Sequence, residues 1–324
     1  MKKALVMMLA LIIILFLLPL LILKSCTREE PKKINEFEAV SSINITVFNA
    51  AEGELQEMNL EEYVLGVLAG EMPSEFHIEA LKAQALAART YTLMRTRAFG
   101  GEGCEKHPGA DVCTDPAHCQ AYKDPKTIKF NYEKYKEAVQ DTRGEVIVYN
   151  DALIDAVFHS TSGGKTENSE DVWSNKVPYL RSVISEYEEH SPKLITKKEI
   201  KVSEFIAAMK KLDSGIKLSS KNIKNQIKII DRSEGGRITS IEIGGTVISG
   251  TSVRGALGLN SSNFNINYSG DIMLFTVTGN GHGIGLSQYG ADGMGKNGSL
   301  YTEIIKHYYQ GVEIMKIEEL TNSK

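Results

Sequence analysis

The chain lacks an excess of positive charge. Its 324 residues carry 37 Lys and Arg against 41 Asp and Glu, a net charge of −4, with a pI of about 6.0. The lysines are interleaved with acids and form no stripe, which argues against a nucleic-acid partner. There are no internal repeats, and strands and helices mix without a βαβ rhythm, so the expected class is α+β. No HExxH string is present, which removes the commonest signature of a zinc hydrolase. There is one tryptophan, Trp173, a stacking platform for a ligand or, more ordinarily, a partly buried core residue. The 42% hydrophobic content is that of a globular chain long enough for one large domain or two lobes.

One long apolar run is present, at the N-terminus. Ala4 to Leu23 is flanked by Lys2, Lys3 and Lys24, and such a length crosses a hydrocarbon core of roughly 30 Å as a helix. It lacks an A-x-A site and is longer than a usual signal-peptide core. Residues 1–25 are therefore expected to be a retained transmembrane anchor, and the charged, proline-containing stretch 26–42 a linker. A domain is expected over 43–318, with two lobes around a cleft, the smaller and β-rich one over 190–265.

SINITVF alternates as a strand does. Asn59, with Glu62 three residues on, starts a helix through LEEYVLGVL, and Gly70 is placed to end it. Met72 precedes Pro73 and is biased to extended backbone, so Glu71 is expected on a rigid non-helical turn. IEALKAQALAARTYTLMRTRA, about 78–98, is an alanine-rich helix that should be central and buried. Further expectations are a helix over 131–140, a hairpin turning at Asn150-Asp151, an amphipathic helix over 198–212, and a β-meander with glycine turns at 234–236 and 244–245. A strand, a glycine-rich loop (GNGHGIG) and a short helix follow, and a closing helix runs through Ile304, Ile305 and Tyr308. The glycine loop has no surrounding βαβ unit, so it is read as a tight loop bringing His282, Gln288 and Tyr289 towards the cleft and not as a dinucleotide fingerprint.

Three of the four cysteines lie in GEGCEKHPGADVCTDPAHCQAY, residues 101–122. His107 and His118 interleave with Cys104, Cys113 and Cys119. Zinc takes four tetrahedral N/S ligands in structural sites, and His107, Cys113, His118 and Cys119 are the expected set for a structural Zn²⁺, with Cys104 as substitute. The alternatives are a disulfide, which leaves one of the three cysteines unpaired, or free thiols.

EMPSEFHIEALKAQALAARTYTL, FHSTSGGKTENSEDVW, VPYLRSV and GHGIGLSQYGA, in this order between about residues 43 and 314, resemble the stage II sporulation protein D family. The resemblance implies a peptidoglycan lytic transglycosylase that acts during forespore engulfment. It places Glu71 as the catalytic carboxylate, general acid and then base. It places Arg89, Thr166, Ser169, Tyr179, Arg181, Gln288 and Tyr289 along the glycan groove, with Arg181 where the family often has lysine. Arg89 would touch substrate or Glu71; read without the resemblance, it is as well explained by a structural salt bridge, and Glu71 by a solvated or capping role. The implied substrate is glycan stripped of stem peptides, the implied partners are stage II sporulation proteins P and M, and the implied location is the mother-cell membrane with the domain outside. A non-catalytic glycan-binding scaffold is the competing function.

Overall fold

The computed structural model describes residues 43–322. The expected anchor and linker lie outside the described residues; among those described, no helix is long and apolar enough to cross a membrane. From Ile43 onward the chain forms one unit, and its mixed helices and antiparallel strands are the α+β class that the sequence implies.

The first hairpin joins β1 (Asn44–Asn49) to β2 (Glu54–Asn59), with Asn44 opposite Asn59 and Asn49 opposite Glu54. Helix α1 (Leu60–Glu71) follows at once. Asn59 is extended, and its side-chain oxygen accepts from the N–H groups of Glu61 and Glu62. Both acids also sit at the positive end of the helix dipole. Helix α2 (Ile78–Arg95) is buried along most of its length and packs on α1, because its alanines let neighbouring backbones approach. The cysteine loop contributes β3 (Val112–Cys113), parallel to β1.

Helix α3 (Tyr132–Asp141) leads into β4 (Glu145–Tyr149) and β5 (Ala152–Leu153), a hairpin whose turn residues Asn150 and Asp151 have φ of 50° and 61°. Strand β6 (Phe158–His159) and the one-turn helix α4 (Ser169–Val172) carry the serine- and glycine-rich stretch.

Where a helix is expected from residue 198, the chain instead forms β7 (Ile195–Lys201) and turns into helix α5 only at Val202, ending at Leu212. The reason is pairing. Strand β7 lies at the edge of a sheet, and its three lysines are the charged side chains that edge strands tolerate. The meander is β8 (Ile227–Arg232), β9 (Ile238–Ile243) and β10 (Thr246–Ile248), antiparallel throughout. Helix α6 (Gly250–Leu257) precedes β11 (Phe264–Ser269) and β12 (Ile272–Thr278), which complete the sheet with β7. A hydrophobic cluster drawn from residues 200–277, including Phe205, Ile241, Val253, Phe264 and Phe275, fills this part. Its sheet therefore extends past residue 265, to Thr278.

Strand β13 (Leu286–Ser287) pairs in parallel with β6 and opens helix α7 (Gln288–Lys296). Helix α8 (Tyr301–Tyr308) is the expected closing helix. It is not the end of the fold: β14 (Glu313–Lys316) adds to β4, and helix α9 (Ile317–Asn322) follows.

Candidate active site

Glu71 is the last residue of α1, and Met72, extended at φ −124° and ψ 138°, is the cap. The expected break at Gly70 is therefore absent. Gly70 serves a different need: a Cβ there would stand 2.8 Å from the Tyr122 nitrogen and 2.9 Å from the Ala121 carbonyl. One turn earlier, a Cβ on Gly66 would meet the Tyr122 ring at 2.1 Å. The two glycines, four residues apart on one helix face, make a shallow channel in which residues 121–123 lie, with the Lys123 N–H donating to Gly66 O at 3.0 Å.

That seating delivers a donor to the acid. The Ala121 N–H donates to Glu71 Oε1 at 2.7 Å, and Gln288 Nε2 donates to Oε2 at 3.2 Å. Burial raises the Glu71 pKa above the ordinary carboxyl value, and the two neutral donors only partly oppose it. A carboxyl in this setting holds its proton to higher pH than a solvated glutamate does. Leu68, Met72 and Phe76, the residues expected to supply apolar surroundings, are all buried. Tyr289 meets the Phe76 ring edge-on at 4.8 Å and lies 5.2 Å from the His190 ring. Gln288 and Tyr289 thus reach the acid's neighbourhood, as the glycine loop implies.

Two carboxylates that sequence reasoning misses hold these pieces in place. Asp292, fully buried on α7, accepts the His77 N–H at 2.6 Å and lies 2.7 Å from His190 Nε2. It thereby ties the turn after Glu71 to the helix that bears Gln288. Glu188 accepts the N–H groups of Ser162 and Gly163 at 3.0 and 2.7 Å and the hydroxyls of Ser185 and Ser287. It joins the serine-rich loop to the residue before Gln288. A buried acid on a short helix or in a loop carries no periodic signal.

The other expected groove residues go elsewhere. Arg89 is 0% exposed and touches neither Glu71 nor solvent. Its Nη2 and Nε bond Glu61 at 2.6 and 3.0 Å, and further N–H groups reach the carbonyls of Val139 and Glu145. A guanidinium buried among helices needs a full set of acceptors, and Glu61 supplies the charge. Thr166 and Ser169 are buried as well. The Thr166 hydroxyl accepts the Val183 N–H at 2.8 Å; that of Ser169 donates to Asn175 O and accepts from Val177 N–H, both at 2.8 Å. These hydroxyls build their own loop and are not presented to a ligand. The Tyr179 hydroxyl accepts the Asp155 N–H at 3.0 Å, and Arg181 pairs with Glu170 at 2.7 Å. The His282 ring lies tilted against those of Trp173 and His159, at 5.4 and 5.5 Å, and burial, with the charge of Arg237, lowers its pKa to about 4. Trp173 itself is half-exposed.

Four side chains of the cysteine loop converge: Cys104, Cys113, His118 and Cys119 place their ligand atoms within 4.8 Å of one another and could hold a metal ion. His118 Nδ1 stands 3.4, 3.4 and 3.3 Å from the three sulfurs, and Cys119 Sγ is 4.0 Å from Cys104 Sγ. A tetrahedral zinc with bonds of ~2.3 Å to sulfur and ~2.05 Å to nitrogen implies separations of about 3.8 and 3.6 Å, so the donors fit. His107 is not among them; it stacks flat on Phe48 at 3.7 Å, and Cys104 takes its place. Adjacent His118 and Cys119 can both contribute because the turn that carries them closes on Asp115 O, which accepts both of their N–H groups. Cys104, Cys113 and Cys119 are free thiols.

Comparison with known proteins follows the same residues. The family model described as "Stage II sporulation protein" (SpoIID) matches residues 49–149. The chain is 38% identical over 290 residues to "Stage II sporulation protein D" of Bacillus subtilis (strain 168), covering 87% of this chain and 82% of that one. It is 37% identical over 286 residues to the protein of that name from Bacillus amyloliquefaciens, covering 86% and 80%. To the "Amidase enhancer" of Bacillus subtilis (strain 168) it is 29% identical over 299 residues, 77% of this chain but 40% of that protein. With the family motif spanning Glu71 and the cysteine loop, and more than four-fifths of both chains aligned, this chain belongs to the stage II sporulation protein D family.

Proposed function

We propose that the chain is a lytic transglycosylase that cuts the N-acetylmuramic acid to N-acetylglucosamine bond of peptidoglycan during sporulation, with Glu71 as general acid and then base. The observation that carries this reading is the setting of Glu71: a carboxyl at a helix end, protonated to raised pH by burial, held by two neutral donors. Its proton goes to the glycosidic oxygen as the C1–O bond breaks. The carboxylate so formed takes the proton of the C6 hydroxyl on the same muramic residue, whose oxygen closes on C1. The product is a 1,6-anhydro end and no water is consumed. A hydrolase that activates water needs a second carboxylate; here the sugar's own hydroxyl does that work, and the donors on Glu71 are both uncharged. Gln288 and the Ala121 N–H steady the carboxylate stage, while Phe76 and Tyr289 supply a flat, water-poor edge.

Cys104, Cys113, His118 and Cys119 would hold a structural Zn²⁺, whose role would be to cross-link the loop. Burial pushes the Cys119 thiol up to about 12 and the Cys113 thiol upward, so a cation is what would keep them as thiolates. The apolar run 4–23 anchors the chain in the mother-cell membrane with the domain facing the wall, where stage II sporulation proteins P and M, the former an amidase that strips stem peptides, are its partners.

The test is mass spectrometry of digested glycan. The wild-type chain should give anhydromuramic ends, and Glu71→Gln should lower turnover by roughly 10²–10⁴-fold, the usual span for a general acid–base group, with its circular dichroism unchanged. Near-normal cleavage by that variant would refute the assignment, and binding without any anhydro product from the wild type would leave the scaffold reading.

A further inference from the structure

Among the described residues, five other than glycine have a positive φ. Four of them, Asn131, Asn150, Asp151 and Asn222, are asparagine or aspartate, whose short polar side chains tolerate the left-handed region. The fifth is Tyr187, at φ 63°. A large aromatic residue is strained there, and such strain persists only where the surroundings impose it.

The surroundings that impose it lie on both sides. Ser185 and Glu188 are buried. The Ser185 N–H donates to Gly164 O at 3.0 Å, and Glu188 accepts from Ser162, Gly163, Ser185 and Ser287. Both ends of the turn are pulled inward, and Tyr187 between them is 43% exposed. Its backbone is seated against α7 at Gly293, where a Cβ would stand 2.4 Å from Tyr187 Cβ and 2.5 Å from its carbonyl oxygen. Glycine at 187 would take this conformation without strain. The chain instead holds a half-exposed ring there.

The position of that ring gives it a use. Gly293 is one turn beyond Tyr289 on the same face of α7. It is five residues beyond Gln288, which touches Glu71, or about 7.5 Å along the axis. His190 packs beside Tyr289, its ring 5.2 Å from that of Tyr289 and 6.3 Å from that of Phe76. Buried Asp292 holds His190 Nε2 at 2.7 Å and so fixes the imidazole. Phe76, Tyr289, His190 and Tyr187 therefore lead away from the acid along one helix. Flat rings with polar edges suit the faces and hydroxyl rims of pyranose units.

We propose that Tyr187 is the platform of an outer saccharide subsite, reached by glycan strands that extend past the bond next to Glu71. The inference rests on the glycan-cleaving reading above and deepens it, because it makes recognition depend on strand length. Short strands fill only the site at Glu71; longer ones also cover Tyr187. The strained backbone is what keeps the ring outside.

The experiment measures binding by the full chain carrying Glu71→Gln, so that nothing is cut. The probes are peptide-free glycan strands of two lengths, a tetrasaccharide and an octasaccharide. The octasaccharide should bind roughly three- to tenfold more tightly, as one aromatic contact allows. Tyr187→Phe, which keeps the ring, should keep most of that gap. Tyr187→Gly should close it, yet melt no lower than its parent, because glycine adopts this φ freely. Retention of the gap by Tyr187→Gly would overturn the proposal. So would a Tyr187→Gly chain that melts below its parent, since the ring would then be packing, or an effect of that variant only on binding to another protein. Failure of the cleavage reading shows up separately, as wild-type digests without anhydro ends, and leaves the comparison of the two strands standing.

Discussion

Helix α1 carries a buried or half-buried glutamate at each end. Glu61, in the first turn, and Glu71, the last residue, are about 15 Å apart along the axis and share one broad face with Val64, Leu65 and Leu68. Their partners differ. Glu61 faces the Arg89 guanidinium, 0% exposed, and accepts the Gly144 N–H as well. Glu71 faces an amide N–H and a side-chain amide, neither charged. The same side chain is paired with a cation at one end of the helix and held between uncharged donors at the other. A counter-ion makes a buried carboxylate structural; neutral donors leave it available for acid–base chemistry.

The largest effect that tests this contrast is on stability. Arg89→Ala leaves Glu61 buried and unpaired and should cost about 3–5 kcal/mol, read from urea or thermal unfolding, whereas Arg89→Ala combined with Glu61→Leu should recover most of it. If the single variant instead unfolds normally and loses glycan cleavage, the division of labour between the two ends fails. Next comes the cysteine loop. Removing metal with a chelator, or replacing Cys113 with Ala, should loosen the seat of Ala121 and lower turnover by up to about 10²-fold, the penalty of an ångström's misplacement. One zinc per chain by elemental analysis should accompany full activity.

Gln288→Ala should have a smaller effect, several-fold in turnover, with a signature that packing loss alone would not give. The Gln288 hydrogen bond opposes the burial that raises the Glu71 pKa. Losing it should move the alkaline limb of the pH–rate profile to higher pH. The smallest effect concerns Glu71→Gln itself. The folded carboxyl has a pKa above its unfolded value, so its contribution to stability is fully present below the ordinary carboxyl range and is lost as pH rises through the folded pKa. Glutamine escapes that loss. The variant should melt above the wild type at neutral pH, and the gap should close in acid; a variant that melts lower at neutral pH would break the comparison at its active end.

Much of the scaffold was legible because it is written locally: the Asn59 cap, the Asn150-Asp151 turn, the alanine-rich α2 and the glycine turns of the meander each act within a few residues. What escaped was written across distance. Strand β7 reads as helix until β12 pairs with it. Arg89 has its partner 28 residues away, although Glu61 in register with Val64, Leu65 and Leu68 is a signal that such a partner was present. The candidate metal ligands narrow to five by composition, but choosing Cys104 over His107 requires knowing that Phe48 occupies the imidazole. Glu71 was identified through its family motif; its main donor, the Ala121 N–H, belongs to the backbone and leaves no trace in side-chain identity, save for Gly66 and Gly70, whose four-residue spacing marks a close approach.

That last donor has an evolutionary consequence. Because the acid is gripped by main chain, mutation at position 121 to nearly any amino acid leaves the grip intact; proline alone lacks the hydrogen. Lineages are thus free to rewrite the side chains of this loop, the Cys104, Cys113, His118 and Cys119 cluster included, so long as some other brace keeps the same peptide group against the end of the helix.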